Sequence, residues 1–115
     1  MVSEERKNNK ITVSTIKQVV CAAAMECFGV VGIANIPGAD SIVYLLTNEE
    51  WSKGVRVSAG SDKKIHIEVF VILEYGMKME TVCENLSEAI KYNVEKQTGV
   101  KVRKVTVNVT SVRVM

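Results

Sequence analysis

The chain has a single histidine, His66, inside the segment KIHIEVFVILEYG. A histidine acts as a general base or metal ligand only with partners at a matching spacing. His66 has Glu68 as its one same-face neighbour in that segment, and no substrate pocket is legible around it. Cys21, Cys27 and Cys83 are odd in number, form no C-x-x-C pair and have no histidine near them in sequence, so neither a disulfide scaffold nor a zinc site has its spacing. Each falls within a helical pattern and reads as a small buried hydrophobe in a reducing compartment. No catalytic residue, metal ligand or cofactor site is assigned. In FGVVGI, Gly29 and Gly32 lead out of a helix, whereas a phosphate-binding loop leads into one from a strand. Turn and packing roles are the reading for both glycines. The remaining candidate is the basic cluster KVRK, with Lys101, Arg103 and Lys104.

A length of 115 residues, with 47% hydrophobic and 24% charged residues, describes one folded domain. The first ten residues, MVSEERKNNK, mix charges of both signs with no apolar block and read as a disordered tail ahead of a domain over residues 11–115. The apolar runs are far shorter than the roughly 20 residues of a membrane span. The expectation is a cytoplasmic protein with no direct membrane insertion.

Periodicity supplies the elements. Residues 11–13, ITV, read as a short strand entering a helix, with Ser14 as N-cap or Thr15 and Gln18 as a capping box. Ile16, Val19, Val20, Ala23 and Cys27 form the apolar face of that helix, which is expected to end at Gly29. Residues 36–53 read as a short helix or ordered loop, anchored on the core by Trp51. VRVSA at 55–59 and the strand from Ile65 form a hairpin about GSDKK. A second helix carries Met79, Val82, Cys83, Leu86, Ile90 and Val94 as its stripe and Gly99 as its C-cap. In the last strand Val105, Val107 and Val109 share a face while Val112 and Val114 have the opposite parity, which predicts a bulge near Ser111. The predicted fold is α+β, in β-α-β-β-α-β order, with two helices packed on one face of a small mixed β-sheet.

That architecture leaves the second sheet face uncovered. Ile65, Ile67, Val69, Val71, Leu73 and Tyr75 take the buried parity, so Phe70 and Ile72 fall among His66, Glu68 and Glu74 on the wet side. Thr106, Asn108 and Thr110 are their expected neighbours from the last strand. A mixed apolar and hydroxyl patch suits a protein contact, and covering each large side chain contributes about 1.5–3 kcal/mol. Phe70 and Ile72 are therefore the expected apolar centre of an interaction surface, with His66, Glu68 and Glu74 as its rim. A homo-oligomer is the first expectation, unless residues 36–53 fold over this face. The alternative is a KH- or RRM-like nucleic-acid-binding module using Lys101, Arg103 and Lys104. The aromatic platform of an RRM would rest on Phe70 alone, a KH-type G-x-x-G is absent, and a net charge of +2 gives little electrostatic attraction, so nucleic acid is the less favoured partner.

Over residues 11–114 the order of VSTIKQVVCAAAMECFGVVGI, WSKGVRV and the long segment from IHIEVFVILEYG to TGVKVRKVTVNVTSVRV resembles the alkaline shock protein family of Gram-positive bacteria. The matching features are Val13 and Ser14 with Val19 and Val20, the Gly29 to Gly32 segment, Val69 to Gly76, and Val94 to Val112. The resemblance implies a non-enzymatic role in the cell envelope stress response, contact with a membrane-anchored protein partner, and, for the shorter members that this chain is similar to, a link to a fatty-acid-kinase-like protein. It implies no catalytic residues.

Overall fold

The computed structural model describes residues 12–37 and 44–114. The expected tail over residues 1–10 lies outside that range, as do Ile11 and residues 38–43. In chain order the elements are α1 (Val13–Met25), β1 (Val30–Ile33), a 3-10 helix (Asn48–Gly54), β2 (Val55–Ala59), β3 (Ile65–Glu74), α2 (Met79–Thr98) and β4 (Val102–Arg113). The α+β class and the placement of both helices on one face agree with the sequence. The order of elements does not.

Within the expected opening strand the described residues Thr12 and Val13 instead begin a helix, because Thr12, two residues before the predicted Ser14 cap, accepts the Thr15 N–H on its hydroxyl at 3.2 Å. Val13 is already helical. At its other end α1 stops at Met25, where the Glu26 and Cys27 N–H groups bond the carbonyls of Ala23 and Ala24 in a tightened last turn. Gly29, at φ +92°, then turns the chain into β1, a strand the sequence reading missed. A Cβ on Gly29 would lie 3.0 Å from Val82 and 3.3 Å from Met77, so this corner needs glycine for both backbone and space.

β3 is the axis of the sheet. Along one edge β4 pairs with it in parallel from Ile65 to Glu74. The opposite edge is shared end to end, with antiparallel β2 against residues 65–69 and antiparallel β1 against residues 71–73. The two meet where the Ala34 N–H bonds the Phe70 carbonyl at 2.8 Å, and where Gly54, leading into β2, lies against the carbonyl of Ala34 and the side chain of Ile33. With both edges paired, residues 69–73 (VFVIL) are buried on both faces. An uninterrupted apolar run belongs to a strand so enclosed.

One face of the sheet carries the core. Ile65, Ile67, Val69, Val71 and Leu73 pack with Ile16, Val20, Cys21 and Ala24 of α1 and with Val82, Leu86, Ile90 and Val94 of α2. Trp51, in the 3-10 helix, packs against the same cluster as expected. The remainder of the expected helix or loop at 36–53 forms no helix among the described residues, and the Leu46 N–H bonds the Ile33 carbonyl instead. α2 ends as predicted at Gly99, which adopts φ +75°. Glu95 then accepts the Val102 N–H at 2.9 Å, fixing the step from α2 into β4. The predicted bulge is present, with Val71 opposite Val109 but Ile72 opposite Ser111, so Thr110 is the extra residue. It returns Val112 to the side of the sheet occupied by Val109. Tyr75 departs from its expected buried parity and is 70% exposed, because β3 ends at Glu74.

Candidate interaction site

The helix-free face is built from alternate residues of three strands. β2 contributes Arg56 and Ser58, β3 contributes His66 and Glu68, and β4 contributes Thr106 and Asn108. Their side chains interlock across the strands. His66 Nε2 lies 2.8 Å from the Thr106 hydroxyl. Glu68 accepts Arg56 Nη1 at 3.3 Å on one carboxylate oxygen and Asn108 Nδ2 at 3.0 Å on the other. The Thr110 hydroxyl closes the row by donating to the Val71 carbonyl at 3.1 Å. These groups are held in position yet remain partly open to water, which keeps the Arg56–Glu68 pair in the range of about 0–1 kcal/mol.

The apolar centre is a correction to the sequence reading. Ile72 is fully buried and Phe70 is only 8% exposed, so neither is a patch on a wet face. The cause is β1. Its pairing with β3 shifts register between Val30 and Gly32, so that Val31, Ala34 and Ile36 pack against Phe70 and Ile72 as a second small cluster. The Arg56 guanidinium stands 5.6 Å from the Phe70 ring centroid and covers it from the β2 side. His66, Glu68 and Glu74 are partly exposed, and Glu74 lies at the far end of the sheet opposite Arg113. Arg56 was absent from the sequence reading. Its parity opposite Glu68, once the hairpin register is drawn, is the signal that would have found it.

Lys101, Arg103 and Lys104 lie together at the start of β4, exposed. Arg103 is engaged by the Asp62 carboxylate of the β2–β3 turn, which is held below the ordinary aspartate range by the Lys64 N–H and by Arg103 itself. Phe70, the one aromatic that could have stacked a base, is sunk beneath Arg56.

A groove of about 470 Å³ lies between α1 and the 3-10 helix, lined by Ser14, Gln18, Asn48, Glu49, Trp51 and Ser52. Glu49 is its one ionisable group, and neither serine has a base beside it there. Burial pushes the Cys21 thiol up to about 12, and its Sγ donates to the Trp51 carbonyl at 3.6 Å. Cys27 and Cys83 are also raised by burial. Such thiols pack rather than react. Among the described residues no group of three or more His, Cys, Asp or Glu side chains could hold a metal ion, and no helix is long and apolar enough to cross a membrane.

These features define a small two-layer α+β domain whose organised polar groups lie on a sheet face and do not converge in a cavity. Residues 1–114 match the alkaline shock protein 23 family, described as having a cell envelope-related function, and the chain belongs to that family. It is 34% identical over 105 residues to YloU, an uncharacterized protein of Bacillus subtilis, covering 90% of this chain and 87% of that one. It is 37% identical over 101 residues to Spy1614, an uncharacterized protein of Streptococcus pyogenes, covering 87% and 83% respectively. Among solved structures it is similar to variants of the MamM CTD. Two of these align at TM-score 0.51 and 12% identity over 87% of this chain and 98% of the other, a likeness of fold alone.

Proposed function

We propose that this chain is a non-catalytic protein-interaction subunit acting on the cytoplasmic side of the cell envelope, where it reaches the membrane through a membrane-anchored protein partner. The observation that carries the reading is the helix-free face: a preformed row of Arg56, Glu68, Asn108, His66 and Thr106, partly exposed and uncovered by either helix. A polar surface held by its own cross-strand bonds loses little side-chain freedom on docking, which favours recognition of another protein. Phe70, covered by Arg56, and Ile72 border this surface as a rigid apolar flank, and His66, Glu68 and Glu74 remain its rim. The envelope setting is supported by the family description.

The test is fractionation of a Gram-positive host expressing the chain. Wild type is expected in the membrane fraction and is released when a protease digests the exposed proteins of the vesicles. Reversing the charges singly, Arg56→Glu or Glu68→Lys, should move the folded chain to the soluble fraction. Variants that fractionate as wild type would refute the assignment of the face.

A further inference from the structure

We infer that β4 is a dimerisation edge, at which the outer edge of the strand pairs antiparallel with β4 of a second copy. β3 occupies one edge of β4 along its length, and among the described residues no strand pairs with the other. β4 is 12 residues long, and an uncapped edge of that length offers a row of backbone donors and acceptors to any extended chain. Proteins blunt such edges with proline, charge or bulges. β4 has no proline, and between Val105 and Val112 it has no charge. Its register shifts fall toward the two ends, beside Arg103 and at Thr110, leaving residues 104–109 regular.

The uncharged middle of the strand suits a second copy laid antiparallel. A parallel copy would stack Lys101, Arg103 and Lys104 against their own counterparts. An antiparallel copy, related by a two-fold near Val107 to Val109, brings them instead to the end that runs from Thr110 to Val114, where Arg113 is the one like charge. With the two-fold centred on a residue, Val105, Val107 and Val109 of both copies stay on the helix-bearing side and Thr106 and Asn108 on the other. Each core then continues across the junction in one longer sheet. Val112 at 40% and Val114 at 81% exposure are the apolar side chains that the incoming strand would shelter. This contact uses a surface different from the helix-free face and does not depend on it.

Sedimentation velocity across a wide concentration range, with residue-resolved amide exchange on the same samples, tests the inference. A reversible dimer is expected, with the outward-facing amides among residues 105–109 slowed about tenfold or more as it forms. Val112→Lys with Val114→Lys adds charge at exposed positions off the helix-free face, and should weaken the dimer about tenfold or more while the circular dichroism is unchanged. A monomer at all concentrations would overturn the inference. So would a dimer whose β4 amides exchange as fast as the monomer's, or a double-lysine variant that dimerises like wild type.

Discussion

At the scale of single residues, burial decides what each group can do. Phe70 and Ile72 interrupt a polar parity, and that alternation alone suggests an exposed patch. Their burial under Val31, Ala34 and Ile36 predicts instead that Ile72→Ala costs about 2–5 kcal/mol of stability and Phe70→Ala about 3–5 kcal/mol, measured by urea denaturation. Losses below about 1 kcal/mol would mean that the sites are open. Cys21 gives a pH-dependent prediction. Its thiol ionises near pH 9 in the unfolded chain but only near 12 when folded, so between those values the unfolded state holds fewer protons and stability falls as pH rises. Cys21→Ala should flatten that fall, as judged by melting temperature against pH. Native Cys21 should also resist iodoacetamide longer than the less buried Cys27 and Cys83.

The elements show where sequence patterns sufficed and where they failed. α2 was legible from end to end, because its stripe is long, its charges follow the helix dipole and Gly99 closes it. The β2–β3 hairpin and the bulge in β4 were legible because a period of two makes parity breaks visible. β1 was not. It has four residues, contains Gly32 and shifts register beside Val31, so no alternation survives for a pattern to catch. Missing β1 also hid the cover over Phe70 and Ile72, because the strand that encloses VFVIL had no place in the expected sheet. The resulting architecture depends on close passage between the ends of β1 and β2. A methyl group on Gly54 would strike the Ala34 carbonyl and lie 2.5 Å from Ile33. Gly54→Ala should therefore destabilise the domain by about 1–3 kcal/mol in thermal melts, more than Gly60→Ala, where the nearest atom to an added methyl is the Asp62 carboxylate oxygen at 3.0 Å, the end of a side chain and not backbone. Equal losses at the two glycines would show that the junction yields.

For the whole molecule, the distribution of structure between the two sheet faces is what suggests a function. Both helices and nearly all of the apolar core lie on one side, while the other offers a hydrogen-bonded polar row. The family assignment was legible in the order of weak motifs along the chain, and the apolar patch was not, because exposure depends on partners distant in sequence. Site-specific photo-crosslinking in a Gram-positive cell examines the face most directly. A photoreactive residue at Ser58 or Thr106, on the helix-free face, should give discrete adducts with a protein, while the same residue at Lys91, exposed on α2, should give none. Absence of adducts from both face positions, or the same adducts from Lys91, would contradict the assignment of that face as the working surface.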